Sequence, residues 1–113
     1  MPFIDCKFSQ KLTEEKKEKI KTELGKAVSI LNKPESYLMV GIADGYDLYF
    51  AGKKLSEGAY LSVSLFGALN SSACEKMTKT LCALLERELN IPSSQVYITY
   101  HGVENWGWNG GNF

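Results

Sequence analysis

The sequence predicts an α+β fold in which two βαβ repeats share one four-stranded mixed sheet, with two helices on a single face and short additional strands. Three observations lead there. A strand–helix–strand plan occurs twice, over about residues 2–50 and 58–100. Each intervening segment carries one apolar stripe at helical spacing. A length of 113 residues makes a single domain, 1–113.

The first strand is Pro2 to Phe8, rich in aromatic and β-branched residues. Thr13 followed by Glu14 and Glu15 marks a helix start, a hydroxyl cap with acids over the positive end of the dipole. Ile20, Leu24, Val28 and Leu31 fall at i, i+4, i+8 and i+11, one stripe on a helix of about five turns. Asn32 and Pro34 stop it. Tyr37 to Ile42 reads as the second strand, Asp44-Gly45 as a turn, and Leu48 to Phe50 as a short strand.

The second repeat opens with the alternating strand Ala59 to Phe66. Ser72, with Glu75 three residues on, reads as a capping box. Met77, Leu81, Leu84, Leu85 and Leu89 form the next stripe, stopped by Asn90 and Pro92. Gln95 to Tyr100 is the last long strand, and residues 101–113 form an aromatic, glycine-rich tail. Handedness puts both helices on the same face of the sheet. The rows Leu38, Val40, Ile42 and Leu61, Val63, Leu65 are then expected on the uncovered face, where another subunit would have to cover them.

Composition excludes several classes. Thirteen Lys and Arg balance thirteen Asp and Glu, so no basic excess invites nucleic acid or a membrane surface. Residues 11–26 interleave lysine with glutamate and read as a solvated helix face. No apolar run reaches the ~18–20 residues of a membrane span, and the start lacks a signal-peptide plan. Synthesis in the cytosol is expected, with secretion by a non-classical route left open. The cysteines Cys6, Cys74 and Cys82 are odd in number and lack CxxC spacing. With the single His101 they make no metal site, and a reduced compartment is expected. Cys74 and Cys82 lie eight apart on the second helix and read as core residues.

The start of the chain carries the chemistry. An initiator methionine before a small residue is normally trimmed, which would leave Pro2 as a free secondary amine. Model α-amino groups titrate near ~7.7–8.0, and apolar surroundings or a nearby cation lower that value. Such an amine is a candidate base at neutral pH.

Five segments, in order, carry a resemblance: Met1-Pro2-Phe3-Ile4, Lys33-Pro34-Glu35-Ser36-Tyr37, Leu48-Tyr49-Phe50-Ala51-Gly52, Val96-Tyr97-Ile98-Thr99-Tyr100, and Gly107-Trp108-Asn109 with Phe113. Together they resemble the macrophage migration inhibitory factor branch of the tautomerase superfamily, end to end. The resemblance implies a homotrimer with sites at subunit interfaces. It also implies cofactor-free keto–enol tautomerisation of phenylpyruvate-like α-keto acids. On this reading Pro2 is the catalytic base and Lys33 meets the substrate's negative oxygens. Tyr37, Trp108 and Phe113 line the aromatic end, and Tyr97 comes from the neighbouring subunit. Thr99 stands where close relatives carry asparagine, while Phe66 and Trp106 replace smaller aliphatic residues at the substrate pocket. The CxxC pair of the mammalian cytokine is absent, Tyr60 and Leu61 occupying that region. The alternative implied by the same resemblance is a cytokine-like protein that engages a cell-surface receptor and keeps its pocket as a relic.

Overall fold

The computed structural model describes residues 1–113. Strand β1, Pro2–Phe8, alternates burial residue by residue: Pro2, Ile4, Cys6 and Phe8 point into the core. It lies between β2, Met39–Ala43, which is parallel to it, and β5, Ala59–Phe66, which is antiparallel. Strand β6, Val96–Val103, runs parallel to β5, so the sheet order is β2-β1-β5-β6. This is the predicted mixed α+β sheet of two βαβ units.

Helix α1, Glu14–Ala27, starts as predicted, with the Lys16 N–H donating to Thr13 Oγ1 at 3.1 Å. Its last turn tightens to a 3₁₀ turn over Val28–Leu31, and Asn32 closes it at φ +58°. The left-handed conformation suits asparagine. Helix α2, Ser71–Leu89, ends in the same way on Asn90 at φ +56°. Its start differs from the prediction. Asn70, not Ser72, is the cap: the Ala73 N–H donates to Asn70 Oδ1 at 2.9 Å. Asn70 lies in extended backbone one residue ahead of the helix, whereas Ser72 is already helical.

The second strand also starts later than predicted. Pro34 at φ −80° leads into a 3₁₀ turn, Glu35–Tyr37, so β2 begins at Met39. Two short hairpins complete the chain. In one, β3, Tyr49–Phe50, pairs with β4, Lys53–Lys54, through Ala51 and Gly52 at φ +51° and +80°. In the other, β7, Gly107–Trp108, pairs with β8, Gly111–Asn112, through Asn109 and Gly110 at φ +53° and +83°. Two successive positive φ values give the turn whose twist matches paired strands, and Asn-Gly is its favoured sequence. The sequence reading had neither β4 nor the tail hairpin.

The core lies between the helices and one sheet face. Ile20, Leu24 and Ala27 of α1 and Met77, Leu81, Leu84, Leu85 and Leu89 of α2 pack on Ile4, Cys6, Phe8, Leu61, Val63 and Leu65. Leu38, Val40 and Ile42 flank this same cluster. The predicted apolar rows therefore belong to the helix-covered face, not to the open one. The reason is register. Ile4 pairs with Val63 and Cys6 with Leu61, and directly opposed residues share a face. The open face carries Phe3, Asp5, Lys7, Ser62, Ser64, Thr99 and His101 instead. By the same register Met39, opposite Phe3, and Tyr97, opposite Tyr60, also belong to the open face and are exposed there, while Tyr49, Trp108 and Phe113 expose apolar surface in the hairpins and tail. Cys6 is buried, and its thiol is pushed up to about 12 by that burial and by the Asp5 charge. Cys74 packs partly against the core as predicted. No helix is long and apolar enough to cross a membrane.

The cap assignment is testable by urea unfolding. Asn70→Ala should cost about 1 kcal/mol, the usual loss for an N-cap amide. Ser72→Ala should change stability by no more than a few tenths, as for a surface helix position. Equal costs for the two would return the cap to Ser72.

Candidate active site

Pro2 occupies the one position in β1 where proline removes no ladder hydrogen bond, the first. It pairs with Leu65 and is fully buried. The next residue of β5, Phe66, uses both sides of its peptide to organise this end of the sheet. Its N–H donates to the Met1 carbonyl at 3.1 Å. Its own carbonyl accepts from Lys33 Nζ, also at 3.1 Å. Lys33 reaches there because Asn32 ends the first helix in the left-handed region, turning the chain back toward the strand ends. The amine at the chain start lies close enough to feel this cation. The pKa of this Met1 α-amine is lowered by burial first and by the Lys33 charge second.

Beside Pro2 opens a cleft of about 610 Å³. Its walls are largely aromatic and apolar: Phe3, Tyr37, Met39, Trp106 and Trp108 line it together with Met1, and Ser36 and Ser64 supply hydroxyls. The 3₁₀ turn after Pro34 presents Tyr37, whose ring meets Trp108 edge-on, with centroids 5.8 Å apart at 87°. Trp108 stacks on Phe113 at 6.2 Å, and Phe113 packs on Phe66 at 5.5 Å. The tail hairpin is thus held beside the cleft by ring contacts running from Tyr37 to Phe66.

Within one chain the predicted site residues fall into two groups. Pro2, Lys33, Tyr37, Phe66, Trp106, Trp108 and Phe113 gather around the Pro2 end of the sheet. Tyr97 and Thr99 do not. Tyr97 pairs with Tyr60, five residues along β5 from Leu65, or about 17 Å at strand spacing. It is 65% exposed and packs edge-on against Phe50 at 5.6 Å. The Thr99 hydroxyl is shared between Tyr60 Oη at 2.8 Å and His101 Nε2 at 3.0 Å. Sequence reasoning missed Phe3, Ser36, Met39 and Ser64 as cleft residues. Only the strand register brings Phe3, Met39 and Ser64 side by side, and no motif announces it. No three His, Cys, Asp or Glu side chains converge in a group able to hold a metal ion.

Chemically, the arrangement offers an amine position in an apolar floor, a cation within one peptide of it, and an aromatic wall. That combination suits a planar aromatic acid whose charged end faces Lys33.

Comparison with known proteins agrees over the full length. Residues 1–113 match the family model "Macrophage migration inhibitory factor (MIF)". The macrophage migration inhibitory factor of Xenopus laevis is 34% identical over 83 residues, covering 72% of this chain and 71% of that protein. The crystal structure of Leishmania major MIF2 superposes with a TM-score of 0.93 at 30% identity, covering 100% of this chain and 97% of that one. The homologue from Prochlorococcus marinus gives a TM-score of 0.88 at 30% identity, with 98% of each chain covered. With Pro2, Lys33 and the aromatic cleft assembled on this sheet, and a family model matched from end to end, the chain belongs to the macrophage migration inhibitory factor family.

Proposed function

We propose that this chain is a cofactor-free tautomerase of phenylpyruvate-type α-keto acids, with Pro2 as its general base. The observation that carries the reading is the burial of Pro2 at the floor of an aromatic cleft with Lys33 one peptide away. While Met1 is attached, the Pro2 nitrogen is an amide and has no basicity. Removal of Met1 makes it a secondary amine. The same removal takes away the carbonyl that accepts from the Phe66 N–H, leaving that donor free beside Lys33.

The reaction then follows. The Pro2 nitrogen takes a proton from the carbon next to the substrate carbonyl, and the bonding pair moves onto the carbonyl oxygen. Negative charge building there is met by the Lys33 ammonium, with the Phe66 N–H as a second donor, in surroundings that exclude much of the water. Protonation of that oxygen gives the enol, and the reverse path returns the keto acid. Tyr37, Trp108 and Phe113 hold the aryl group, while Trp106 and Phe66 restrict its width. Thr99, which lies with Tyr97 away from its own chain's Pro2, would act only on a neighbouring subunit's cleft, where in place of a longer amide it withdraws a polar contact.

The proposal includes a homotrimer, in which Tyr97 of a neighbouring subunit completes each cleft. Its support is the apolar surface one chain leaves open: Met39, Tyr49 and Tyr97 are each about two-thirds exposed. Sedimentation velocity should give the mass of three 12.6 kDa chains, and Tyr97→Ala should raise KM more than it lowers kcat in a particle that stays trimeric. A stable monomer at micromolar concentration would remove this part of the proposal.

The base is tested by measuring ketonisation of enol 4-hydroxyphenylpyruvate, with intact mass showing whether Met1 is gone. Pro2→Gly should lower the rate by ~10²–10⁴-fold, the usual worth of general-base catalysis. Full activity in that variant would exclude Pro2 as the base. Inactivity of the parent chain with a free Pro2 would instead mean that Phe66, Trp106 or Thr99 has closed or retuned the pocket for this substrate.

Lys33 has a second signature. Its charge disfavours the protonated Met1 amine and would act in the same direction on a Pro2 amine exposed by loss of Met1, so activity should rise with pH as that amine loses its proton. In Lys33→Met the amine holds its proton to higher pH, and the ascending limb of kcat/KM against pH should move upward, alongside a lower plateau. A limb that does not move would confine Lys33 to substrate binding.

A further inference from the structure

The two helices leave a groove of about 520 Å³ between them, on the side of the fold away from the sheet, and it shares no lining residue with the Pro2 cleft. Each wall is a helical stripe. Glu23, Lys26, Ala27 and Ile30 line one side, and Thr80, Ala83, Leu84 and Arg87 line the other, both at i, i+3, i+4 and i+7. This is the spacing at which a helix offers one face to another. The floor is apolar: Ala27 and Leu84 are 7% and 3% exposed. Ile30, in the 3₁₀ turn that follows Ala27, extends the same wall. The small side chains of Ala27 and Ala83 keep the groove open.

The rim is cationic. Lys26, Lys79 and Arg87 face a single acid, Glu23. That carboxylate is shared by Lys26 at 3.2 Å and Arg87 at 3.4 Å, Arg87 also meets Glu88 at 3.4 Å just outside the groove, and Lys79 has no acidic partner, so the surplus charge rests on Lys79. The hydrogen bond from Lys26 holds the Glu23 carboxyl below its usual range, so the rim keeps its one negative charge and its positive excess at neutral pH. An apolar floor under surplus positive charge is complementary to an apolar stripe flanked by carboxylates.

We infer that this groove docks an amphipathic helix of another protein, one with an aliphatic stripe bordered by aspartates or glutamates. The walls match such a helix in period, and the rim matches it in charge.

The test uses the full chain and two fluorescein-labelled peptides of about 15 residues, long enough to form a helix. Both carry leucines at i, i+3, i+4 and i+7, one flanked by glutamates and the other by lysines. By anisotropy the glutamate peptide should bind saturably and weaken as salt is raised, and the lysine peptide should not bind. Ala83→Trp fills the groove from an exposed position. It should lower affinity by on the order of tenfold or more while leaving circular dichroism and the unfolding midpoint unchanged. Equal binding of the two peptides, or binding indifferent to Ala83→Trp, would overturn the inference. So would binding of dodecanoate in place of the acidic peptide, or self-association of the chain abolished by Ala83→Trp. Those results would assign the groove to a small carboxylate or to a second copy.

Discussion

The antiparallel pairing of β1 with β5 is the constraint on which the rest of the molecule depends. It joins the two repeats in a register that opposes Pro2 to Leu65 and Ile4 to Val63. Because opposed residues share a face, the apolar rows of both strands meet under both helices, and one core of buried residues results. The same register puts Phe66 just beyond Pro2, where its peptide bonds Met1 on one side and Lys33 on the other. A slip of one residue would turn Pro2 toward the open face and send the apolar row of β5 into solvent. Core and candidate site are therefore specified by one set of hydrogen bonds.

The distribution of exposed apolar groups follows from this. With its apolar rows used internally, the sheet shows a largely polar open face, where Asp5 and Lys7 pair at 2.8 Å and Tyr60, Thr99 and His101 form a hydrogen-bonded chain. The large exposed rings sit at the end of that face, on Tyr97, and in the hairpins and tail, on Tyr49, Trp108 and Phe113. The register also keeps Tyr97 far from Pro2 of its own chain.

Much of the fold was legible in the sequence because the apolar periods are clean. The alternation of Ala59 to Phe66 and the stripe from Met77 to Leu89 correspond to elements whose buried residues are the ones the pattern selects. What failed was whatever depends on pairing between distant segments. Alternation gives two faces to a strand but does not say which one meets the helices, so the row Leu61, Val63, Leu65 was placed on the wrong side. Asn70 and Ser72 are both good caps, and only backbone conformation separates them. In the site, Pro2, Lys33, Tyr37 and Trp108 were marked by motif. Ser64 and Met39 carry no signal of their own and enter the cleft only because register puts them beside Phe3.

The cleft has walls of unequal rigidity. Its floor belongs to the sheet, where Pro2, Leu65 and their neighbours are tied into a continuous ladder. Its outer wall belongs to the tail hairpin, whose strands pair only with each other. The tail rests on ring contacts to Tyr37 and Phe66, and a bond from the Phe113 N–H to the Trp106 carbonyl ties it only to itself. Segments with exposed backbone and few buried apolar groups open at much lower free energy than core strands. Pro2 and Lys33 are thus held in fixed relation, which the proposed proton transfer would require, while Trp108 and Phe113 rest on ring contacts alone. On the proposed function, a rigid base under a compliant aromatic wall would constrain the position of the reacting carbon more tightly than the shape of the ring attached to it.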